Sequence, residues 1–411
     1  MAPKDTAKFF PLTASRAHGR RILLAWELGE GFGHAARLLL VATRLKAQGW
    51  SPVVAARHPR ALAQRYAAAG IPVIAAPAHT NCFAGPGSFQ AASYADVMGV
   101  CGYADAARLS SVVSAWDSLL TQVAPAVVIA DYAPLLSLAA FGRVPVIAIG
   151  DGFVTPHGLP DGRFPPMREN AAPVWEPGAL LANARQVQAA RGLRLPETLP
   201  QIIEGAGQVV SVLPELDIYG GTRPAPAAGP WEVPQPLSAA PVEPHVFCYL
   251  HIADPLARVF LQVLLEQRIA GECYLREAPA SLVAQAEEAG MQIHASPPPL
   301  RQALQRSTLL VHHGGIGSME EAVLAGRPQL LLPRHLEHSL NARCAVTRFR
   351  GTLALRPGAT IEGLRHKLPA LLGQAEPLRL AQQAATRLAG RRATAWTALE
   401  HRLQQVLHSQ A

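Results

Sequence analysis

Short apolar runs alternate with longer amphipathic segments along most of the chain. Apolar runs of strand length occupy residues 22–26, 53–56, 127–130, 144–149 and 245–251. Segments with helical spacing of apolar positions separate them, as at 35–48 and 256–267, and the pattern is helical from residue 361 to the end. Strands that alternate with helices are typical of parallel sheets covered by helices. The pattern therefore predicts an α/β fold.

The length and the breaks in this pattern divide the chain into two lobes. A chain of 411 residues exceeds one ordinary hydrophobic core. We expect a loose N-terminal tail at 1–19, a first lobe at 20–221, a Pro/Gly-rich linker at 222–244, a second lobe at 245–385 and a last helix at 386–411. The last helix is amphipathic and so needs a surface to cover its apolar face.

The composition argues against several classes of protein. The net charge is +8, but only four of the 37 basic residues are Lys and no basic stripe is evident, which argues against nucleic acid as a partner. No apolar run reaches membrane-spanning length and no signal-peptide core is evident, so we expect a cytoplasmic protein, with peripheral membrane contact left open. The five cysteines are scattered without a C-x-x-C pair, which fits reduced thiols.

A glycine-rich turn after an apolar strand is the first sign of chemistry. The strand at 309–311 is followed by Gly314, Gly315 and Gly317. Ser318 and Glu321 match the Ser-x-x-Glu capping box, which predicts that a helix begins there. Backbone N–H groups at a helix N-terminus, with no side chains in front of them, favour a bound anion. We therefore predict a diphosphate site at this turn.

A second polar segment follows at close spacing. Gly326, Arg327 and Pro328 should stop the helix, and 329–332 reads as a short strand. Pro333 then opens a predicted loop with polar residues at Arg334, His335, Glu337, His338 and Asn341. Because both segments follow strands of one sheet, they should face the same crevice.

The segment at 311–342 resembles the donor-binding signature of family 1 glycosyltransferases, the UDP-glycosyltransferase and macrolide-glycosyltransferase type. The matching positions are His313, Gly314, Gly315, Ser318, Glu321, Gly326, Pro328, Pro333, Asn341 and Ala342. The resemblance implies the GT-B architecture, in which two Rossmann-like lobes with parallel sheets face a central cleft. It also implies an enzyme that uses a nucleotide-sugar donor and requires neither a metal nor a further cofactor.

The resemblance also implies roles for individual residues. His313 and Ser318 would contact the diphosphate, and Glu321 the ribose hydroxyls, roles that suit an N–H donor beside an oxyanion and an acceptor-only carboxylate. The full predicted set for the nucleotide sugar is His313, Gly314, Gly315, Gly317, Ser318, Glu321, Glu337, His338 and Asn341. Taken singly, Ser318 and Glu321 would also be ordinary residues at the start of any helix.

Two departures from the family pattern leave the donor undefined. The Asp-Gln pair that holds the transferred sugar in the family is here Glu337-His338, which keeps a carboxylate and replaces the amide with an imidazole. The Trp that stacks on uracil in plant members is Ala295 here, and the Pro-Gln after it is Pro297-Pro298. The sugar and the choice between uridine and thymidine therefore stay open.

The catalytic residues are expected in the first lobe. Gly31-Phe32-Gly33-His34 follows the first strand, where open α/β sheets place their ligands. The resemblance implies that His34 is the general base of an inverting transfer to an acceptor hydroxyl and that Asp131, at the end of the strand 127–130, is its acidic partner. Both could instead be helix-capping residues. The loops of this lobe suit a lipid, a polyketide or a phenolic acceptor equally.

Other functions compete with this interpretation. An oxidoreductase is suggested by Gly29-x-Gly31-x-Gly33, but His34 stands where the third glycine of G-x-G-x-x-G belongs, and the second strand ends at Arg57 without an acidic ribose partner. An epimerase or hydrolase of the same two-lobed fold, or a non-catalytic nucleotide-sugar binder, would use the same cradle. A metal site is not expected, because the His335-x-x-His338 spacing supplies only two ligands.

Overall fold

The computed structural model describes residues 20–29, 33–79, 81–85, 89–237, 243, 245–355, 358–372 and 375–409, without the side chains of 366, 367 and 369–372. The predicted tail at 1–19, Gly31 of the predicted glycine loop and part of the predicted linker lie outside these residues. The described part of the chain forms two α/β lobes.

The first lobe contains six strands and seven helices in its described residues. Its strands are β1 (Arg21–Trp26), β2 (Ser51–Ala56), β3 (Val73–Ala75), β4 (Val127–Asp131), β5 (Val146–Gly150) and β6 (Gly207–Val210). Its helices are α1 (Gly33–Ala47), α2 (Pro59–Ala68), α3 (Tyr94–Met98), α4 (Ala106–Val123), α5 (Pro134–Ala140), α6 (Pro177–Ala190) and α7 (Leu199–Glu204). A π-helical turn, Gly99–Tyr103, continues α3, and a 3-10 turn, Pro214–Leu216, follows β6.

The second lobe repeats this plan among its described residues. Its strands are β7 (Val246–His251), β8 (Gly271–Arg276), β9 (Gln292–Ile293), β10 (Leu309–His312), β11 (Gln329–Leu331) and β12 (Thr352–Ala354). Its helices are α8 (Pro255–Glu266), α9 (Ala280–Glu288), α10 (Leu300–Arg306), α11 (Ile316–Ala325), α12 (Leu336–Arg348), α13 (Ile361–Leu372) and α14 (Ala375–Leu388), and the chain continues into α15 (Ala395–His408).

Each lobe is built on a parallel sheet with the same strand order. The first sheet runs β3-β2-β1-β4-β5-β6 and the second β12-β11-β10-β7-β8-β9. In each, the order reverses beside the lobe's first strand, at β1 and β4 and at β7 and β10. Such a reversal opens a crevice at the carboxyl ends of the strands. The predicted class, two Rossmann-like lobes with parallel sheets, is confirmed.

Helices cover both faces of the first sheet. One apolar cluster places Trp116 of α4 and Leu136 of α5 against β1 and β4, and another places Leu38 of α1 on the opposite face. The last helix, α15, joins this second cluster through Trp396 and Leu399, so it lies against the first sheet although it follows the second in sequence. Its apolar face is thereby buried.

Apolar contacts also join the two lobes. Val212 and Leu213, just after β6, share a buried cluster with Val323 and Leu324 of α11. The described residues of the predicted linker, 222–237 and 243, form no helix or strand. Trp231 in this segment packs on Trp396, with 4.6 Å between ring centroids. The connection is therefore packed onto the first lobe over part of its length.

A buried carboxyl group organises the loops at the carboxyl end of the first sheet. Glu27, directly after β1, accepts the backbone N–H groups of Leu135 and Leu136, each at 2.9 Å, at the start of α5. Burial raises the pKa of Glu27 to about 8. The end of β1 is thus tied to the segment that follows Asp131.

None of the helices in the described part of the chain is long and apolar enough to cross a membrane. All five cysteines are free thiols, and Cys101, Cys248 and Cys273 are buried.

Candidate active site

His34 and Asp131 come together at the carboxyl end of the first sheet. His34 lies in the first turn of α1, and Asp131 is the last residue of β4. The ring Nδ1 of His34 lies 2.9 Å from Oδ1 of Asp131, whose side chain is fully buried. Because an ionised carboxylate only accepts, Nδ1 carries the proton and Nε2 is the ring nitrogen left to act as a base. The structure thus brings together the two predicted catalytic residues.

The charge of Asp131 decides the protonation of His34. Burial lowers the pKa of His34, but the Asp131 carboxylate outweighs burial, and the pKa lies above its usual value of 6.5. Burial would raise the pKa of Asp131, but Arg37 and then His34 lower it further, so its pKa lies below its usual range. Asp131 is therefore an ionised partner that orients and stabilises the imidazole.

Two aromatic rings flank the imidazole. Trp26 stacks on one side, with ring centroids 5.4 Å apart, and Tyr132 lies on the other at 5.9 Å. Tyr132 has φ of +53°, a left-handed conformation that a bulky residue rarely adopts. Its carbonyl accepts the N–H of Leu28 at 3.1 Å, which joins the loops after β1 and β4. Left-handed strain of this kind is frequent at functional sites.

Gly29 makes room for the reactive ring nitrogen. It has φ of +85°, and a Cβ at this position would lie 2.8 Å from Nε2 of His34 and 3.2 Å from Cδ1 of Tyr132. The backbone after β1 therefore approaches the imidazole as closely as it does only because this residue lacks a side chain.

Arg37 and Asp151 were not predicted from the sequence. Arg37 lies one turn after His34 on α1 and donates hydrogen bonds to both oxygens of Asp131. Asp151 directly follows β5, the neighbour of β4, and lies 3.7 Å from Arg37. The signals that could have found them are the i, i+3 spacing of His34 and Arg37 and the position of both aspartates at the ends of adjacent strands.

Glu337 reaches this site from the second lobe. Burial raises its pKa to about 7; Asp151 adds to the rise, while the positive charges of His34 and Arg37 oppose it. The prediction that Glu337 and His338 lie in a loop was wrong: α12 begins at Leu336, so both lie in its first turn. The charges of Glu337 and His34 act on each other, so the carboxyl lies near His34.

A second acidic side chain of the second lobe holds the lobes together. Glu320 on α11 accepts the backbone N–H of Leu213 at 2.6 Å. Burial raises its pKa to about 8, and the nearby Arg37 opposes the rise. This residue was also missed, because a Glu on a helix gives no sequence signal of an interlobe contact.

The glycine turn lies at the end of β10, as predicted, but the predicted capping box does not form. The helix α11 begins at Ile316 with Gly315 at its N-cap position, and no side chain caps it. Ser318 is in the first turn, and Glu321 pairs instead with Arg301 of α10 at 2.9 Å. The N-cap lies three residues before the predicted Ser318, because Gly315 already adopts the extended conformation of an N-cap residue.

The N-terminus of α11 faces open space. A Cβ at Gly315 or Gly317 would meet no heavy atom within 4 Å. Gly314 has φ of +95°, and a Cβ there would lie 3.2 Å from the carbonyl of His338. The N–H groups of the first helical turn have no partner within the helix, so the arrangement can accept an anion.

His313, predicted to contact a diphosphate, forms hydrogen bonds within the protein. Its Nε2 accepts the N–H of His251 at 2.8 Å, and its Nδ1 lies 2.8 Å from the carbonyl of Leu332, which only accepts. Both ring nitrogens are occupied, and burial lowers the pKa of His313. Asn341 similarly donates to the carbonyl of Gly314 at 3.2 Å. Both side chains brace the strands and the turn that carry the site.

His338, unlike His313, has a ring nitrogen without a hydrogen-bond partner. Its ring stacks on His335, with centroids 3.7 Å apart, and its buried Nδ1 has no hydrogen-bond partner. Burial and then His335 hold its pKa well below its usual range, so the ring is neutral. Among the residues that the structure describes, no group of three or more His, Cys, Asp and Glu side chains could hold a metal ion.

Comparison with solved structures places this arrangement in a known fold. No protein-family model matches the sequence, and no curated protein matches it. The chain is similar to the glycosyltransferase VinC in complex with dTDP (19% identity, TM-score 0.65, covering 94% of this chain and 100% of VinC). It is also similar to the calicheamicin glycosyltransferase CalG4 (17%, 0.63, 95% and 98%) and to the spinosyn rhamnosyltransferase SpnG with spinosyn aglycone (15%, 0.56, 94% and 100%).

At these identities the similarity shows the fold. The chain has the two-lobed α/β fold of these glycosyltransferases, the GT-B fold, and the similarity covers 94–95% of it. The expected architecture is therefore confirmed.

Proposed function

We propose that this chain is an inverting glycosyltransferase that moves a sugar from a UDP- or TDP-sugar to a hydroxyl of a small-molecule or lipid acceptor. The observation on which the proposal rests is the hydrogen-bonded His34–Asp131 pair in the first lobe. The second lobe contributes Glu337 and the uncapped N-terminus of α11. A base and a leaving-group site on opposite lobes are the two parts that glycosyl transfer between bound substrates requires.

The transfer proceeds in one displacement. The acceptor hydroxyl oxygen attacks the anomeric carbon while Nε2 of His34 takes the hydroxyl proton, and Asp131 stabilises the imidazolium that forms. The bond from the anomeric carbon to the diphosphate oxygen breaks, and its electron pair leaves with the diphosphate. The N–H groups at Gly315, Gly317 and Ser318 stabilise that developing charge.

The donor lies across the second lobe in this proposal. Glu337 holds hydroxyls of the transferred sugar, with His338 beside it, and Glu321 reaches the ribose. The fold neighbours VinC and SpnG have structures in complex with dTDP and with thymidine diphosphate, which supports a nucleoside diphosphate as the donor group. His313 and Asn341 support the turn and do not contact the diphosphate with their side chains.

The acceptor lies in the first lobe, against Tyr132. This ring contacts His34 on one side and Phe153 on another, with centroids 5.9 Å apart in each case. The neighbour SpnG has a structure with spinosyn aglycone, which supports an aglycone as the acceptor class. Aromatic rings beside the base suit an acceptor with apolar surface.

A donor screen followed by a base variant tests the proposal. The melting temperature is measured with UDP-, TDP- and GDP-sugars, since a ligand that binds the native state stabilises it by mass action. Transfer from the stabilising donor to a panel of hydroxyl acceptors is then compared between wild type and His34→Ala. We expect lost transfer and unchanged donor affinity for His34→Ala, and no change for His401→Ala, an exposed histidine of α15.

Three results would contradict the proposal. If no nucleotide sugar stabilises the protein, the proposed donor site is refuted. If His34→Ala transfers the sugar at the full rate, the proposed role of His34 as the base is refuted. Release of free sugar or an epimer by the wild type without any acceptor would instead show a hydrolase or an epimerase of the same fold.

A further inference from the structure

Two basic side chains share the carboxylate of Asp131. His34 Nδ1 and Arg37 Nη1 both lie 2.9 Å from its Oδ1, and Arg37 Nη1 also lies 3.0 Å from its Oδ2. The Arg37 side chain is 12% exposed and that of Asp131 is fully buried. A histidine–aspartate pair needs no guanidinium to hold its geometry, so the shared carboxylate requires a separate explanation.

The guanidinium of Arg37 is fixed at a second point. Its Nη2 lies 3.7 Å from Oδ2 of Asp151. The other oxygen of Asp151 accepts the N–H groups of Phe153 at 2.9 Å and Val154 at 3.3 Å, which fixes that carboxylate in the turn after β5. Arg37 therefore bridges the ends of two adjacent strands and cannot leave Asp131 without breaking both contacts.

The charges that face His34 come from three elements. Asp131 on β4 raises its pKa, Arg37 on α1 lowers it, and Glu337 on α12 raises it. Asp151 and Glu320 act on Arg37, whose pKa is raised by Asp131 and Asp151 against burial, so Arg37 is always charged. Without Arg37, the carboxylates of Asp131 and Glu337 would act on the imidazole with no cation to oppose them.

We infer that Arg37 is a positioning residue that tunes the basicity of His34. It holds the Asp131 carboxylate in line with Nδ1 while withholding part of that carboxylate's negative charge from the ring. The imidazole is therefore oriented by Asp131 and still has an unprotonated Nε2 when an acceptor binds. The inference rests on the proposed function of His34 as the base, and it assigns Arg37 no contact with substrate.

The test removes the charge and keeps an unbranched side chain. In Arg37→Met, the titration of the His34 ring, followed by NMR and assigned by its absence in His34→Ala, should move to higher pH. The acid limb of the pH profile of kcat/KM should move with it. At pH 6, kcat/KM should fall about 3- to 10-fold, because the fraction of unprotonated base falls about tenfold for each whole number by which its pKa rises. At pH 9, kcat/KM should differ little from wild type.

Control and second variants keep the test decisive. Arg44→Met removes the same charge from the same helix at an exposed position that pairs with Glu400, and it should change neither titration nor profile. Arg37→Gln, a shorter neutral side chain that is polar, should shift both in the same direction as Arg37→Met and decides the case if Arg37→Met does not fold.

Two outcomes would separate this inference from the proposed function. If both neutral variants leave the His34 titration unchanged and lower rates equally at every pH, Arg37 is only a structural brace and the inference is wrong. If the wild type transfers no sugar, the proposed function fails, but the NMR titration still shows whether Arg37 tunes the imidazole.

Discussion

The space beside Nε2 of His34 provides a sharp test of the catalytic site. In Gly29→Ala, the new Cβ would lie 2.8 Å from Nε2 and 3.2 Å from the Tyr132 ring. The acceptor hydroxyl could then no longer reach the base. General-base catalysis contributes roughly 100- to 10,000-fold, so we expect kcat to fall by at least about 100-fold.

Backbone strain from the same substitution must be separated from this effect. Gly29 has φ of +85°, so alanine there should also cost about 1–2 kcal/mol of stability. Gly49→Ala is the matched control, because Gly49 has φ of +87° and a Cβ there would meet nothing within 4 Å. Both variants should lose the stability due to backbone strain in denaturant unfolding, Gly29→Ala should lose more because of its contact with His34, and only Gly29→Ala should lose kcat.

The donor affinity of both variants, measured by calorimetry, should equal that of the wild type, because neither substitution lies in the second lobe. Equal kcat values for Gly29→Ala and Gly49→Ala would refute the placement of the base at Nε2 of His34.

Two further predictions concern stability. Glu272 is buried and hydrogen-bonded to Arg306 and His294. The Arg306 bonds outweigh burial and lower the pKa of Glu272 to about 2. The ionised carboxylate therefore stabilises the folded protein fully above about pH 4.5, and this contribution is lost as the pH falls toward 2. Glu272→Gln should cost about 1–2 kcal/mol at pH 7 in urea unfolding, because Arg306 is half-exposed, and an unchanged midpoint would contradict the pairing. Tyr132→Gly should be more stable than Tyr132→Ala by about 1 kcal/mol, since only glycine is unstrained at φ of +53°, and the reverse order would contradict that backbone geometry.

The sheet and the glycine turn were predictable because their signals are local. Strands buried on both faces, such as β4, are continuous apolar runs, and the residues that follow them lie at the carboxyl edge of the sheet. Asp131 and Gly314 were therefore placed at the cleft by counting from a strand. The αL glycine at Gly326 likewise marked the end of α11.

The hydrogen bonds within the site depend on residues far apart in sequence. Arg37 and Asp131 are 94 positions apart, and His313 finds its partners at His251 and Leu332. A motif shows that an imidazole is present and does not show which of its nitrogens is occupied. The sequence therefore does not show that both ring nitrogens of His313 have partners within the protein.

The predicted start of α11 was wrong for a different reason. Ser318 and Glu321 have the spacing of a capping box, but the extended conformation of Gly315 starts α11 earlier and the Arg301 side chain takes Glu321. The local preference for a helix cap at Ser318 was overridden by the ion pair between Arg301 and Glu321 and by the backbone of Gly315, because glycine has no side chain to restrict its conformation.

Filling the open space before α11 tests the central claim most directly. Gly315 has φ of −63°, and a Cβ there would meet nothing within 4 Å, so Gly315→Val should fold normally while occupying the place of the diphosphate. Gly178→Val, at an exposed glycine with equally open surroundings, is the control. Hydrogen bonds to a charged group contribute about 1.5–3 kcal/mol each, so losing one weakens binding roughly tenfold or more. In calorimetry with UDP- and TDP-sugars, wild type and Gly178→Val should bind one donor with equal affinity, and Gly315→Val should bind it at least about tenfold more weakly. Equal affinity of all three proteins, or no heat with any donor, would contradict the account.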